Sequence, residues 1–235
     1  MARLPPVVGS RISRPIPPSA HDIHRKLLQR LGYTDNGVVQ EEVRDLVRES
    51  LAEALGIAAP ALLYRAAPIE EVGEHVIAAR GLRVASARWA LLVSRMSQPR
   101  ILLAYALTIG EAFDARLRRL KEDSLSKAFV FDAAGSEIVE TVADRAEEEL
   151  WGTLGLESYQ RTRRFSPGYC DWDLTGQQAL FGFLGPERIG VRHTGAWCLI
   201  PSKSITAVVI GSPDIPARSA CRFCRTEGCA WRRDG

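Results

Sequence analysis

Residues 159–173 read YQRTRRFSPGYCDWD, a polar, aromatic and turn-rich stretch at which the character of the chain changes. Its pattern fits neither the helix period nor the strand period. Pro167 and Gly168 predict a fixed turn whose backbone can approach a small molecule closely. Arg164 offers a planar fork that suits a carboxylate, and Tyr169 adds a ring with a polar tip. An ordinary surface turn contains the same residue types, so the pattern alone leaves a ligand site and a plain turn both open.

The chain after this stretch predicts one helix and a β-hairpin. Residues at the spacing of a capping box predict a helix over Gly176–Leu184. Two apolar runs, Ala196–Ile200 and Ile205–Gly211, are typical of strands, and the turn residues between them predict a hairpin. Cys198 falls within the first of these strands, so we expect a buried apolar side chain there.

The chain before this stretch shows the spacing of amphipathic helices and two runs with strand character. Ile101–Thr108 is the clearest strand, because it is a continuous apolar run that ends shortly before Gly110. The predicted helices cover His21–Leu31, Val38–Leu55, residues 86–96, Glu111–Lys121 and Ser126–Leu150, and a short strand covers Ala61–Arg65. This mixture predicts an α+β fold, a few antiparallel strands covered by helices.

The long helix Ser126–Leu150 contains an unusual glycine and many acidic residues. Glycine in a helix interior costs about 1 kcal/mol relative to alanine. Gly135 therefore predicts the close approach of another backbone or of a ligand. The acidic residues that we expect to face water are Glu137, Asp144, Glu147 and Glu148.

Composition predicts the compartment and excludes two classes of partner. The 235 residues carry a net charge of only +3, which provides no basic excess for binding nucleic acid. No apolar run approaches the roughly 20 residues that span a bilayer. The sequence shows no export signal, so we expect a cytoplasmic protein with reduced cysteines.

The sequence divides into three parts. Residues 1–20 contain five prolines and three arginines and predict a disordered tail. Residues 21–212 hold the predicted helices and strands and are expected to form one domain. Residues 213–235 are loop-like and rich in cysteine.

Three segments resemble the activation (reactivation) domain of cobalamin-dependent methionine synthase. They are FDAAGSEIVETVAD at residues 131–144, RFSPGYCDWDLTGQQALFGFL at residues 164–184 and GVRHTGAWCLIPSKSITAVVIG at residues 190–211. The likeness is greatest to the stand-alone versions, which combine R-x-S-P-G-Y-G-D-W with a later P-x-K-S-(V/I)-(S/T)-A. It covers roughly residues 20–235, and it implies the fold of that domain.

The resemblance implies that the chain binds S-adenosylmethionine and presents its methyl group to a corrinoid. Arg164 would pair with the methionine carboxylate, and the backbone around Ser166 and Gly168 would hold the adenine or ribose. Tyr169 would lie between the ligand and the corrin ring. Glu140 is the best match to the family glutamate that contacts the ammonium group, and Glu137 is its competitor.

The resemblance also implies partners. The sequence has no D-x-H-x-x-G segment for binding a corrinoid, so the cobalamin would sit on a separate methyltransferase chain, with methionine synthase the family expectation. A reductant such as flavodoxin or ferredoxin would supply the electron. The chain would therefore act as a subunit that presents the methyl donor and restores the inactivated Co(II) form of the partner.

Three cysteines near the end of the chain suggest a metal. Cys221, Cys224 and Cys229 follow a C-x2-C-x4-C pattern, and thiolates are ligands of both zinc and iron–sulfur clusters. Cys170 is a candidate fourth ligand. A zinc site, a cluster and a plain reduced tail all stay open at this point.

Two other functions fit parts of the sequence. The cysteines fit a metal or iron–sulfur subunit for electron transfer or interaction, whose S-adenosylmethionine site has decayed. The donor-binding motif alone fits an ordinary methyltransferase with a small-molecule acceptor. The second is disfavoured because no glycine-rich loop follows an early strand, as it does in the common Rossmann-type enzymes.

Overall fold

The computed structural model describes residues 8–33, 39–223 and Glu227. The helices in these ranges are α1 (Ala20–Arg30), α2 (Glu41–Ile57), α3 (Ala87–Ser94), α4 (Glu111–Asp123), α5 (Leu125–Thr153) and α6 (Gln177–Leu184). The strands are β1 (Val8–Ser13), β2 (Ala61–Pro68), β3 (Glu71–Val72), β4 (Val76–Ala79), β5 (Leu82–Ala85), β6 (Ile101–Thr108), β7 (Gln160–Arg161), β8 (Arg192–His193), β9 (Leu199–Ile200) and β10 (Ser204–Ser212). None of these helices is both long enough and apolar enough to cross a bilayer.

A five-stranded antiparallel sheet forms the framework, with its strands in the order β1-β2-β6-β10-β7. All eight residues of the middle strand, β6, are buried. A strand covered on both faces needs a continuous apolar sequence, which is what Ile101–Thr108 supplies. The strand predicted there is confirmed.

Two separate hydrophobic clusters cover the two faces of this sheet. One cluster contains α1, α2, α4 and α5 and includes Leu103 and Tyr105 of β6. The other contains α3, α6, β4 and β5 and includes Leu102 and Ala104. Successive residues of a strand point to opposite faces, so β6 contributes to both clusters. The predicted α+β fold, with antiparallel strands covered by helices, is confirmed.

α5 packs closely against α4 at Gly135. A Cβ atom on this glycine would lie 2.2 Å from the Cζ atom of Phe113. Phe113 also stacks on Phe131 of α5, with 4.4 Å between ring centroids. The predicted close approach at Gly135 is present, but the neighbour is an aromatic side chain rather than another backbone or a ligand.

The predicted hairpin between Ala196–Ile200 and Ile205–Gly211 is wrong. β9 pairs with β8, whereas β10 pairs with β6 and β7. The side chain of Thr194 explains the shorter strand, because its hydroxyl accepts hydrogen bonds from the N–H groups of Ala196 and Cys198. Cys198 lies in the loop between β8 and β9 and is exposed, so the prediction that it is buried is also wrong.

The N-terminal segment contains more structure than its prolines predict. Residues Val8–Ser13 form β1, which pairs with β2 at one edge of the sheet. The prediction of a disordered tail is wrong for these residues, because the neighbouring strand offers them a row of backbone hydrogen-bonding groups. Residues 1–7 lie outside the described residues. The limits of the domain, 21–212, and of the cysteine-rich segment, 213–235, stay predictions.

Candidate functional site

The segment Arg164–Tyr169, called the RFSPGY segment below, begins as an extra pairing with β10. The N–H of Phe165 donates to the carbonyl of Val208 at 2.9 Å, and the N–H of Val208 donates back at 2.8 Å. The Phe165 ring stacks on Trp89 of α3, with 4.3 Å between centroids. Because neighbouring residues of an extended segment point to opposite faces, Arg164 points to the α5 side.

After Phe165 the RFSPGY segment folds into a tight turn. Gly168 has a φ of +91°, in the left-handed region that favours glycine. Its N–H donates to the carbonyl of Trp172 at 2.8 Å, and the N–H of Trp172 donates to the carbonyl of Tyr169 at 3.1 Å. This geometry leaves Tyr169 about half exposed, at 51%. The turn thus displays the Tyr169 ring at the surface.

Asp171 ties this turn to the beginning of α3. Its carboxylate accepts hydrogen bonds from the Ser86 hydroxyl at 2.5 Å and from the N–H of Arg88 at 3.1 Å. Partial burial acts to raise the pKa of Asp171, but these hydrogen bonds stabilise the charged form and hold the pKa below its usual value. The charged carboxylate therefore fixes the turn on a helix that belongs to the core.

Arg164 meets three carboxylates of α5. One terminal nitrogen donates to Glu147 at 2.7 Å, and the other donates to Glu140 at 3.1 Å and to Asp144. The three acidic residues follow each other at steps of four and three, so they share one face of the helix. The side chain of Arg164 is only 19% exposed. We call Arg164, Glu140, Asp144 and Glu147 the Arg164 cluster.

The Arg164 cluster is anchored in the core through Tyr105 of β6. The Tyr105 hydroxyl donates to Glu147 at 2.6 Å, and both side chains are buried. Burial raises the pKa of Tyr105 well above its usual value, and the charge of Glu147 raises it further. Burial acts to lower the pKa of Arg164, but Tyr105, Glu147 and the other two carboxylates raise it above its usual value. The guanidinium therefore stays charged, and Glu147 is held from two sides.

The charges of the Arg164 cluster do not balance. One guanidinium faces three carboxylates, which leaves two negative charges in excess within the cluster. Two of these carboxylates are partly exposed, Glu140 at 44% and Asp144 at 58%. Such a site suits a small ligand that carries both a carboxylate for Arg164 and positive charge for the acidic groups.

The structure brings two predicted site residues together. Glu140 contacts Arg164 directly, whereas its competitor Glu137 bonds to Arg30 of α1 and its side chain is only 11% exposed. The prediction that Glu137 faces water is therefore wrong, and the geometry favours Glu140. Ser166, half-buried, and Gly168, exposed, lie in the turn that follows. Their roles, like those of Arg164, Glu140 and Tyr169, stay predictions.

Three members of the site were missed from the sequence. Asp144 and Glu147 were expected to face water, yet both bond to Arg164, and Glu147 is buried. Their spacing from Glu140 places them on the same helix face, so this signal was available. Nothing in the sequence marks Tyr105, because its hydrogen bond to Glu147 depends on which face of β6 packs against α5.

The predicted metal site is only partly within the described residues. Cys221 lies in a short 3₁₀ turn, Ala220–Phe223, that packs against α3, and Cys170 is exposed with its sulfur 3.6 Å from the Arg88 guanidinium. Cys224 and Cys229 lie outside the described residues. Within the described residues, no group of three or more metal-ligating side chains converges. Zinc or an iron–sulfur cluster at these cysteines stays a prediction.

No model of a known protein family matches the sequence, and no curated protein sequence matches it either. Solved structures do match. One of them is described as the crystal structure of the MetH reactivation domain bound to AdoHcy. The match has a TM-score of 0.63 at 16% sequence identity and covers 93% of this chain and 84% of that one. The chain thus has the fold of the MetH reactivation domain.

Proposed function

We propose that this chain binds S-adenosylmethionine at the Arg164 cluster and presents its methyl group to a corrinoid on a separate methyltransferase. Two observations of different kinds support the proposal. The fold matches a reactivation domain whose structure was solved with AdoHcy, the product of methyl transfer from S-adenosylmethionine. The Arg164 cluster also offers the charges that an amino-acid sulfonium needs.

The observation that carries the proposal is the position of Arg164 and Glu140. The guanidinium lies within hydrogen-bonding distance of Glu140 at the partly open side of the cluster. Arg164 would hold the carboxylate of the methionine part, and Glu140 would hold its ammonium group. The backbone of Ser166 and Gly168 would contact the adenosine, and Tyr169 would separate it from the corrin.

The proposed role needs positioning rather than acid or base catalysis. A Co(I) corrinoid on the partner would supply the nucleophile and take the methyl group, and the sulfonium would leave as a neutral thioether, a good leaving group that needs no protonation. This chain would orient the donor and exclude water from the transfer. The partner we expect is methionine synthase, and the electron that precedes the transfer would come from a flavodoxin or ferredoxin.

The test compares two arginines of similar exposure. The side chain of Arg164 is 19% exposed and that of Arg161 is 20% exposed, but among the described residues Arg161 has only one carboxylate partner, Glu148. We expect Arg164→Ala to weaken S-adenosylmethionine binding at least 100-fold, because two charge-assisted hydrogen bonds to the ligand are lost. We expect Arg161→Ala to change the affinity less than about threefold. Isothermal titration calorimetry measures both.

Two controls separate loss of the site from loss of the fold. Circular dichroism and thermal unfolding must show that Arg164→Ala is folded, because the variant leaves the buried Glu147 without its cation. A second assay mixes the protein with a corrinoid methyltransferase in its Co(II) form, a reductant and S-adenosylmethionine. The wild type should remove the Co(II) absorbance and Arg164→Ala should not. Equal binding by folded Arg164→Ala and wild type would contradict the proposed site.

A further inference from the structure

Tyr105 places a hydroxyl group in an apolar part of the core. The residue is 1% exposed in the middle of β6, and its neighbours on the same face of that strand are Leu103 and Leu107. A phenylalanine would fill the same space without burying an oxygen atom, and burying a hydroxyl is costly unless it finds a partner. The partner here is the carboxylate of Glu147, at 2.6 Å.

The Glu147 oxygen that accepts this hydrogen bond also holds Arg164. Oε1 of Glu147 accepts from the Tyr105 hydroxyl at 2.6 Å and from a terminal nitrogen of Arg164 at 2.7 Å. The raised pKa of Tyr105 keeps its hydroxyl protonated at neutral pH, so it acts as a donor. A glutamate side chain can adopt several rotamers, and a hydroxyl carried by a buried strand selects among them. Tyr105 therefore sets the position of the atom to which Arg164 is bonded.

This constraint sets the direction in which Arg164 faces the open side of its cluster. A guanidinium group is planar and rigid, so fixing the nitrogen that meets Glu147 also orients the other terminal nitrogen. That second nitrogen meets Glu140 and Asp144, whose side chains are 44% and 58% exposed, against 9% for Glu147. It is therefore the nitrogen that a ligand carboxylate can reach, and its orientation is set from the buried side.

We propose, on the basis of the function proposed above, that Tyr105 is a positioning residue for the methyl donor. It does not touch the ligand. It holds Glu147, and through Glu147 it holds Arg164 in the orientation that receives the methionine carboxylate before the donor arrives. An arginine that is already oriented loses less freedom when the ligand binds, so the affinity is higher. This gain is limited to ligands that have a carboxylate for Arg164 to bind.

The experiment removes the hydroxyl and varies the ligand. Calorimetry gives the dissociation constants of S-adenosylmethionine and of its decarboxylated analogue, which keeps the sulfonium and the amine, for the wild type and for Tyr105→Phe. We expect Tyr105→Phe to bind S-adenosylmethionine about fivefold more weakly, because a hydrogen bond to the charged group that orients Arg164 is lost. The variant should bind the analogue as the wild type does.

Tyr64→Phe is the matched control. Tyr64 lies directly opposite Tyr105 on β2, is also buried and belongs to the same hydrophobic cluster. Among the described residues its hydroxyl makes no hydrogen bond to the Arg164 cluster. The loss of this hydroxyl should therefore leave both affinities unchanged. Thermal unfolding must show that both variants are folded at the temperature of the titrations.

The assay with the Co(II) corrinoid partner separates positioning from a general loss of structure. Tyr105→Phe should raise the KM for S-adenosylmethionine about fivefold and leave the rate at saturating donor within about twofold of the wild type. Unchanged affinity for the donor, equal weakening of donor and analogue, or a lower saturated rate at unchanged KM would overturn the role of Tyr105 and leave the proposed function in place. If the wild type does not bind S-adenosylmethionine, the proposed function itself fails.

Discussion

The acidic side chains in the two halves of α5 differ in how they are paired with cations. In the first half each carboxylate has a cation of its own, Asp132 with Lys203 and Glu137 with Arg30. In the second half three carboxylates share the single guanidinium of Arg164. The first arrangement is complete as it stands, because each pair satisfies both charges.

This difference distinguishes the half of α5 whose ion pairs stabilise the fold from the half whose charges suit a ligand. A partly buried one-to-one pair fixes a helix to its neighbours and leaves nothing for a ligand to add. An excess of carboxylates around one cation lowers the stability of the fold through like-charge repulsion. This cost is offset when a positively charged ligand binds at the carboxylates. The second half of α5 is therefore where we expect a ligand, and the predictions below test whether the halves differ in this way.

The largest effect should come from packing in the first half. We expect Gly135→Ala to lower the free energy of unfolding by about 3 kcal/mol, because the new methyl group would lie 2.2 Å from the Phe113 ring. The ring is buried and stacked on Phe131, so it has little room to move. Urea unfolding followed by circular dichroism measures the change.

Gly182→Ala is the matched control for this packing effect. Gly182 lies in α6, and a Cβ atom there would meet no atom within 4 Å. Alanine should therefore stabilise the protein there by up to about 1 kcal/mol through helix propensity. If Gly135→Ala unfolds at the same urea concentration as the wild type, the first half of α5 is not held by close packing.

The next effect compares one aspartate from each half. We expect Asp132→Asn to lower the free energy of unfolding by about 1 kcal/mol, because Lys203 is only 11% exposed and would lose its charged partner while keeping its hydrogen bond to Ser136. We expect Asp144→Asn to change it by less than about 0.5 kcal/mol, since Arg164 keeps two carboxylates and repulsion falls. Urea unfolding at pH 7 without ligand measures both. A larger loss for Asp144→Asn than for Asp132→Asn would contradict the contrast between the halves.

The fold was largely predictable because its main determinants are local. The apolar run of β6 and the helical spacing of α5 each produce the element that the pattern predicts. The pairing of β10 was not predictable from its neighbours in sequence. It depends on contacts with β6 and β7, which are distant along the chain, and on the Thr194 hydroxyl that turns the preceding residues away.

Only part of the candidate site could be predicted from the sequence. Arg164 and Glu140 could be selected because each lies in a segment that resembles a known motif. Asp144 and Glu147 were expected to face solvent, because acidic residues on a helix are usually exposed. The position of Arg164 over that helix face comes from the pairing of Phe165 with Val208, which no helical pattern reveals.

The smallest effect concerns a pair on another face of the second half of α5. Arg145 pairs with Asp22 of α1 at 2.8 Å, and Asp22 also accepts the N–H and the hydroxyl of Ser19. The hydrogen bonds from Ser19, assisted by Arg145, lower the pKa of Asp22 to about 2. The imbalance of charge is thus a property of the Arg164 face and not of the whole second half.

We expect Asp22→Asn to destabilise the protein slightly at neutral pH and not at all in strong acid. A carboxyl whose pKa is lower in the folded state stabilises that state fully above its unfolded pKa of about 4. This contribution is lost as the pH falls through the folded value of about 2. The difference in free energy of unfolding between wild type and variant should therefore be constant from pH 7 to pH 5 and shrink below that. Asp45→Asn, at an exposed pair within α2, should show a smaller difference at neutral pH. A difference for Asp22→Asn that is as large at pH 2 as at pH 7 would show that Ser19 and Arg145 do not act through the charge of Asp22.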